Sequence, residues 1–314
     1  MNRLIISLLK GKNSDKLTLL KSGISRDEII KLANSNELKN NLNLDKGYYF
    51  DEYNKIDDYV NKTGINLISI NCSNYPILLK NIFDPPFLLY VRGNVDSLCE
   101  SLVGVVGTRK ASVRGLHESF KLGLDLGREG VGVCSGLALG IDAAAHKGNL
   151  ATGGRTVAVL GSGIDVIYPT SNRQLAGEII LNKGAVVSEF PPGESPKPYN
   201  FPKRNRVIAG LSQDLVIIQS PLKSGSLITG DFAIENGRDV FIHSVGIGDK
   251  RYLGSDKLYR DGATKIDSAF NILQRRGLGA NFKTFNSGDY TNVDLLKLEL
   301  NGKLVKYRGE YFQK

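Results

Sequence analysis

The chain has 314 residues, of which 41% are hydrophobic and 23% are charged, so it suits a main domain with a sizeable core and one or two small domains. The net charge of +9 at pH 7 favours a polyanionic partner such as nucleic acid, although a basic surface that only aids solubility would give the same charge. The three cysteines are dispersed, which argues against a disulfide framework, and the three histidines lack ligand spacing, which argues against a metal site. No apolar run is long enough to span a membrane, so the sequence predicts a cytoplasmic protein.

The first 60 residues are rich in Lys and Asn and are predicted to be mostly helical. Ser25 precedes Arg26, Asp27 and Glu28 in a pattern typical of a capped helix start. A second helix is predicted from Phe50 to Lys62. Because no chemistry-bearing cluster is visible in this stretch, we expect a small helical accessory domain.

From about residue 64 onward, short apolar runs alternate with helix-like stretches. The runs are apolar on both faces, as the buried strands of a parallel sheet are. This alternation predicts an α/β fold with a doubly wound, mostly parallel sheet, in which ligands bind beyond the carboxyl ends of the strands. The predicted strands are 66–70, 87–91, 102–106, 132–134, 156–160, 185–187, 215–219 and 239–243, and the predicted helices are 112–128, 141–150, 171–182 and 226–236.

Two Gly/Ser-rich turns lie in CSGLALGIDAAAH (134–146) and KSGSLITGDFAIENGR (223–238), and each follows a predicted strand and opens a predicted helix. Such a turn points several backbone N–H groups at one spot, where the helix dipole favours an anion. The pair of turns therefore predicts a phosphate-binding surface. Its candidate groups are Ser135 and Gly136 in the first turn, and Lys223, Ser224, Gly225 and Ser226 in the second.

Catalytic interpretations of these turns have little support in the sequence. His146 lies four residues after Asp142 on the same predicted helix face, and we interpret it as a structural histidine rather than a ligand or a base. Residues 132–136 match the G-x-C-x-G nucleophile-elbow pattern, but no His and Asp placement provides the oriented base that an elbow needs. The chain also lacks a Walker A loop and a complete dinucleotide fingerprint. No cofactor and no enzymatic activity are therefore predicted.

The segment GVVGTRKAS (104–112) ends a Val-rich predicted strand at Gly107 and then places Arg109 and Lys110 at the carboxyl end of that strand. The planar guanidinium of Arg109 suits a phosphate. A surface arginine after a turn would have the same local sequence, so this segment alone leaves both interpretations open.

The segment SPKPYNFPKRNRVIAG (195–210) carries four cations and no acidic residue, with Tyr199 and Phe201 among them. Its prolines predict an extended segment. Cations beside aromatic rings suit single-stranded nucleic acid, because the cations track the backbone and the rings stack on bases. A solvated basic loop with a ring packed inward is the alternative. The four cations are Lys197, Lys203, Arg204 and Arg206.

Seven motifs, taken in order, resemble the DNA-processing protein A (DprA/Smf) family over residues 64–270. They are VGVVGTRKAS, SGLALGIDAAAH, TVAVLGSGIDVIYP, SEFPPG, FPKRNRVIAGLS, SGSLIT and GRDVF. The resemblance implies an extended Rossmann-like domain that binds single-stranded DNA without an enzymatic step. It also implies a homodimer that protects incoming single strands and loads the RecA recombinase onto them in natural transformation, with single-strand-binding protein as a further partner.

By position, the resemblance also implies the DNA site and a division of the chain. The site comprises Gly107, Arg109, Lys110, Ser135, Gly136, Phe201, Lys203, Arg204, Asn205, Lys223, Ser224, Gly225 and Ser226. Residues 1–62 are predicted as a helical accessory (SAM-like) domain, 63–275 as the extended Rossmann-like DNA-binding domain, and 276–314 as a linker and a reduced winged-helix-like tail. The tail is predicted as reduced because it resembles only the last helix and wing of a winged-helix domain.

Three positions depart from the family's usual pattern, which has Arg at Leu139, Glu-Ala at 219–220 and a Pro-Gly turn at 243–246. These departures are the basis of one alternative, an interaction scaffold with a vestigial pocket. A second alternative is a nucleotide-processing phosphoribohydrolase on a related Rossmann-like fold. In that case Glu235 would imitate the catalytic acid, although the Pro-Gly-Gly of that enzyme's motif is missing.

Overall fold

The protein is described by a computed structural model for residues 2–278 and 287–314. Its N-terminal unit, residues 2–63, consists of short helices and a two-stranded antiparallel ribbon. The predicted helix start at Ser25 is confirmed, because its side chain accepts a hydrogen bond from the Glu28 N–H (3.3 Å). The elements are α1 (Asn2–Ser7), β1 (Leu9–Lys10), α2 (Asn13–Lys21), α3 (Arg26–Asn34), α4 (Glu37–Leu42), β2 (Asp45–Lys46) and α5 (Tyr53–Thr63), with a 3-10 turn over Phe50–Glu52.

The main domain is built on one sheet, which has nine strands within residues 2–278. They are β3 (Asn66–Ser69), β4 (Leu88–Gly93), β5 (Leu102–Val106), β6 (Gly132–Ser135), β7 (Val157–Val159), β8 (Ala185–Ser188), β9 (Asp214–Ile217), β10 (Asp239–His243) and β11 (Thr264–Ile266). Their order is β11-β10-β9-β5-β6-β7-β8-β4-β3. All neighbours from β11 to β8 are parallel, whereas β4 is antiparallel to both β8 and β3.

The predicted doubly wound, Rossmann-like α/β fold is thereby confirmed, with a strand at each of the eight predicted places. The ninth strand, β11, has no predicted counterpart, because Thr264 and Lys265 are polar and exposed and give it no apolar run. The helices between the strands are α6 (Ile77–Lys80), α7 (Val113–Arg128), α8 (Ile141–Ala151), α9 (Arg173–Leu181), α10 (Asn200–Leu211), α11 (Gly225–Glu235) and α12 (Leu253–Arg260), and α13 (Phe270–Arg275) follows β11. In the part of the chain that the structure describes, none of the helices is long and apolar enough to cross a membrane.

The helix α10 corrects one prediction. Residues 195–210 were expected to be extended because of their prolines, but the chain becomes helical at Asn200 and stays so to Leu211. Pro202 is the third residue of the helix, where a missing N–H costs little because the first-turn N–H groups have no partner within the helix. The basic and aromatic residues of this segment therefore surround a helix start and are held by it.

The strand order reverses at β5. The chain passes from β5 through β6 and β7 to β8, and then returns through α10 to β9, which pairs with the other side of β5. The register places Val106 beside Ile217, so the loops after β5 and β9 leave the sheet side by side. A hydrogen bond from the Thr108 N–H to the Gln219 carbonyl (2.8 Å) keeps these loops together. In open α/β sheets, ligands bind at such a reversal.

The helices α7 and α8 approach each other closely through glycines. A Cβ atom on Gly148 would lie 1.9 Å from the Phe120 carbonyl oxygen, and one on Gly123 would lie 2.2 Å from the Ala145 carbonyl oxygen. Because both obstacles are backbone atoms, a side chain at either position would force the helices apart. The close contact fixes α8, whose first N–H, on Ile141, donates to the Thr108 carbonyl (3.4 Å) at the end of β5.

The C-terminal residues form α14 (Asn292–Leu300) and a hairpin of β12 (Leu304–Tyr307) and β13 (Glu310–Gln313). The hairpin is anchored on α7: the Tyr307 ring stacks on Phe120 with centroids 4.1 Å apart, and Glu310 pairs with His117 (Oε1 to Nδ1, 2.7 Å). The described part of the tail thus consists of a short helix and a hairpin. Part of the predicted linker, residues 279–286, lies outside the described residues.

The packing of α7 on α8 predicts that Gly148→Ala lowers the free energy of unfolding by about 1–3 kcal/mol, because overpacking forces a backbone shift. Gly177→Ala in α9 is the matched control, since an added Cβ there meets nothing within 4 Å. The control is expected to raise the free energy of unfolding by about 0.5–1 kcal/mol, through the higher helix propensity of Ala. Urea denaturation measures both changes, and stabilisation by Gly148→Ala would contradict the packing argument.

Candidate nucleic-acid interface

The exposed part of the site is a cluster of one cation and two rings beyond the carboxyl ends of the strands, which we call the Arg109 cluster. The guanidinium carbon of Arg109, after β5, lies 5.3 Å from the centroid of the Phe201 ring in the first turn of α10. The Phe201 ring lies 5.8 Å from the ring of Tyr168, in the loop that follows β7. The structure thus brings together Arg109 and Phe201, which come from separate predicted motifs. Tyr168, 42% exposed, is an addition whose only sequence signal is an aromatic residue after a strand end.

Beneath the cluster, Arg204 anchors α10 to the sheet. It is 5% exposed, and its Nη1 donates to the carbonyl oxygens of Gly136 (2.8 Å) and Val159, at the ends of β6 and β7. Its Nε donates to the Oδ1 atom of Asn205 (3.2 Å). Burial lowers the pKa of the Arg204 guanidinium to about 10, so it remains charged at neutral pH. The predicted site residue Arg204 is therefore a buried positioning group rather than an exposed cation.

The turn after β6 also makes its hydrogen bonds to groups inside the protein. The Ser135 hydroxyl donates to the Val105 carbonyl (2.6 Å), and the Gly136 N–H, predicted to face an external phosphate, donates to Oδ2 of Asp142 (3.1 Å). Burial raises the pKa of the Asp142 carboxyl, while the nearby guanidinium of Arg204 opposes that shift. A Cβ on Gly136 would lie 2.6 Å from that guanidinium, so the glycine makes room for it. Ser135 and Gly136 form the floor of the site.

The turn before α11 joins the same framework. Ser224 caps α11 by accepting from the Ser226 N–H (3.3 Å), and the Ser226 hydroxyl donates to the Ser220 hydroxyl (2.9 Å). The Asn205 side-chain amide donates to the Gly225 carbonyl (2.9 Å), which ties this turn to α10. Lys223 is exposed beside it. The predicted second turn therefore presents an exposed cation at a helix start whose position α10 fixes.

The predicted site residues divide into two groups by exposure. The exposed or half-exposed group is Arg109, Lys110, Phe201, Lys203, Lys223, Ser224 and Gly225, and the buried group is Ser135, Gly136, Arg204, Asn205 and Ser226. Gly107 is half-buried, and a Cβ there would lie 2.6 Å from the Ile141 side chain, so this glycine serves the packing of α8. The first group can contact a ligand, and the second holds the first in place.

The four cations of residues 195–210 also separate in this way. Arg206 is buried and donates to Glu189 (Nη2 to Oε2, 2.7 Å) and to Asp84 (Nε to Oδ2, 3.1 Å). Lys203 is exposed, with its Nζ 3.9 Å from Glu189. The acidic partners come from outside the segment, so its composition gave no sign of them. Lys203 is the cation of this pair that solvent and ligands can reach.

This division predicts that Arg206→Ala lowers the free energy of unfolding by about 3–5 kcal/mol, because it leaves a buried carboxylate without its partner. Lys203→Ala, a neighbouring loss of one positive charge, is expected to change it by less than about 0.5 kcal/mol. Chemical denaturation at neutral pH measures both variants. Similar small effects of the two substitutions would show that Arg206 is not a structural cation.

The departures from the family pattern at 219 and 243 are accommodated by hydrogen bonds. Gln219 is buried, accepts from the Ser112 N–H (3.0 Å) and donates to the Val245 carbonyl (3.2 Å). His243 is buried too; burial lowers the pKa of its imidazole to about 4, and its Nδ1 accepts from the Val245 N–H (3.2 Å). Leu139 is exposed. Gln219 and His243 therefore brace the loops around the crevice.

Glu235 and His146, the two titratable groups that catalytic interpretations of the sequence would use, lie at the end of a helix and in the core. Glu235 is exposed and ends α11, which places it about 15 Å along the helix from the turn at Lys223. His146 is buried, its Nδ1 donates to the Thr156 hydroxyl (2.6 Å), and burial lowers its pKa to about 3, as expected of a structural histidine. Over residues 2–278 and 287–314, no group of three or more His, Cys, Asp and Glu side chains is arranged to hold a metal ion.

Comparison with known proteins places these features in a family. Residues 66–277 match the family model described as DNA recombination-mediator protein A. The chain belongs to the DNA recombination-mediator protein A family. The matched residues contain all nine strands of the sheet and both Gly/Ser-rich turns, so the family resemblance in the motifs is confirmed.

Individual members of this family align over most of the chain. It is 37% identical over 284 residues to the DNA processing protein DprA of Streptococcus pneumoniae R6, covering 84% of this chain and 98% of that protein. It is 36% identical over 236 residues to the protein Smf of Escherichia coli K12, covering 73% and 63%. The crystal structure of the pneumococcal DprA superposes with a TM-score of 0.65 at 34% identity, covering 88% of this chain and 100% of that one. DNA processing protein A of Helicobacter pylori, whose structure was described for its unique single-stranded DNA binding mode, gives a TM-score of 0.60 at 26% identity and covers 67% and 95%.

Proposed function

We propose that the protein binds single-stranded DNA at the carboxyl edge of its sheet and acts there as a recombination mediator, without an enzymatic step. The observation that carries the proposal is the Arg109 cluster, in which an exposed guanidinium lies against the Phe201 ring and a second ring follows. A base stacks on such a ring only when it is free of its own duplex, so the cluster favours single strands. The single-stranded DNA binding mode described for the Helicobacter pylori relative supports the same ligand.

The exposed cations supply contacts for the phosphates. Lys110, Lys203 and Lys223 are exposed around the cluster, on the three segments that follow β5, begin α10 and precede α11. Each phosphate neutralised on a single strand adds about −0.7 to the slope of log K against log salt concentration. Binding through these residues is therefore expected to be salt-dependent and to have little sequence preference, since contacts to phosphates carry no sequence information.

Membership of the family suggests a more specific role in recombination. We propose that the protein protects incoming single strands and loads a RecA-type recombinase onto them during natural transformation, acting as a homodimer in the cytoplasm with single-strand-binding protein as a further partner. The framework under the site supports a passive role, because Asp142, Arg204 and Ser226 each use a polar group in a hydrogen bond within the protein. Faster RecA filament growth on strands coated with single-strand-binding protein is the expected result of adding this protein.

The phosphoribohydrolase alternative requires Glu235 as the catalytic acid, but Glu235 lies at the far end of α11 and not in the crevice. A screen for base release from nucleoside monophosphates tests it directly. Catalysed release of free base would overturn the proposed non-enzymatic role.

The central prediction is that Arg109→Ala and Lys223→Ala each weaken binding of a labelled oligothymidine of about 35 nucleotides and reduce the magnitude of the salt slope by about 0.7. Fluorescence anisotropy at several salt concentrations measures both quantities. Arg275→Ala is the matched control, because Arg275 pairs with Asp239 (2.9 Å) at the amino end of β10, the opposite edge of the same sheet. Absence of binding at moderate salt, or equal effects of control and test variants, would contradict the proposal.

A further inference from the structure

A second pair of exposed rings lies at the entrance to α10, and it joins the N-terminal unit to the main domain. Tyr48, between β2 and α5, is 87% exposed, and Tyr199, the residue before α10, is 66% exposed. The Nζ atom of Lys197 lies 5.8 Å from the Tyr48 ring centroid and 6.0 Å from that of Tyr199. One ammonium group thus faces two rings from parts of the chain about 150 residues apart.

This group is held in place by its neighbours. The Lys197 ammonium donates to the Oε1 atom of Glu194 (2.8 Å), a carboxylate that is itself buried. The Tyr49 ring packs edge-on against Tyr48 with centroids 4.9 Å apart. Burial and a hydrogen bond with Glu194 raise the pKa of Tyr49 to about 12, so this phenol remains neutral and ties the two parts of the chain together. The rings and the cation are therefore positioned before any ligand arrives.

Packing alone does not account for two large exposed rings here. Exposed cation–ring contacts contribute only about 0.5–1 kcal/mol, and most of the surface of both rings remains in water. Exposed aromatic rings with a cation between them are what proteins use to bind single-stranded nucleic acid, in which bases stack on rings and phosphates follow the cations. The group therefore has the composition of a binding surface.

Its position continues the surface described above. Tyr199 and Phe201 are two residues apart at the start of α10, and side chains at that spacing do not face each other on a helix. The two rings therefore lie on either side of the helix start, with the positive end of the helix dipole between them. A strand that crosses this end can stack one base on Phe201 and another on Tyr199 while a phosphate passes the helix start.

We propose that Tyr48, Tyr199 and Lys197 form a second base-stacking step of the single-stranded DNA path, so that the N-terminal unit is part of the binding surface. This inference rests on the proposed function and extends it beyond the sheet. We expect the bases of a strand of a few nucleotides to stack on Phe201 only, and those of a longer strand to stack on Tyr48 as well.

The test uses the full chain and Tyr48→Ala, with Tyr48→Phe as the matched control that keeps the ring. Tyr48→Ala is expected to weaken binding of an oligothymidine of about 20 nucleotides by about 5- to 150-fold, the range for loss of one stacked base, and to leave the salt slope unchanged. Tyr48→Phe is expected to bind like the wild type. Binding of a tetranucleotide is expected to be the same in all three proteins.

Tyr199→Ala provides a second variant should Tyr48→Ala fail to fold, and it is expected to show the same length-dependent loss. Wild-type binding that neither alanine variant weakens would overturn the second step and leave the proposed function standing. Equal losses from Tyr48→Phe and Tyr48→Ala would overturn stacking as its mechanism. Failure of the wild type itself to bind single strands would overturn the proposed function, and the inference with it.

Discussion

The buried guanidinium of Arg204 is the contact on which the arrangement of the whole edge depends. A charge removed from water is costly unless its donors are matched, and here the carbonyl oxygens of Gly136 and Val159 accept from it while the Asp142 carboxyl lies nearby. Because those carbonyls belong to the ends of β6 and β7, the start of α10 is held at a fixed point above the sheet. Asn205 extends the same attachment to the start of α11.

In this chain of net charge +9, the internal hydrogen bonds divide the cations near the site into buried ones and ones that a ligand can reach. Arg204 and Arg206 donate hydrogen bonds to buried acceptors, whereas the side chains of Arg109, Lys203 and Lys223 are exposed to solvent around the first turn of α10. The rigid framework lowers the entropy cost of binding, since the groups that contact a strand need not be ordered when it arrives. Under the proposed function, preformed contacts that are individually weak would let the protein bind a strand and also release it.

The sequence was sufficient for the fold class and for most strands, because buried parallel strands are short runs of Val, Ile and Leu that few other structures require. It was not sufficient for α10, since the same prolines suit an extended chain and the first turn of a helix. The sequence also could not show that Arg204 is buried whereas Lys203 is exposed. A charged residue is expected to be exposed, and only the assembled fold brings the carbonyl oxygens that hold Arg204.

The aromatic part of the site was predictable only in part. Phe201 stands among several cations in the sequence and could be recognised from them, but Tyr48 has a single cation nearby, Lys46, and Tyr168 lies five residues from Arg173. Their relation to the site depends on where the loop after β7 and the N-terminal unit come to rest. That is set by contacts between distant residues, such as the Lys197–Tyr48 pair, which no local pattern encodes.

The most direct measurement of the central claim is amide hydrogen exchange of the full chain with and without oligothymidine, since bound backbone is protected where the strand lies. The account predicts slower exchange at residues 107–110, 199–206 and 223–227, which meet at the carboxyl edge of the sheet. Protection confined to the C-terminal hairpin at 304–313, with unchanged exchange in these three segments, would contradict it.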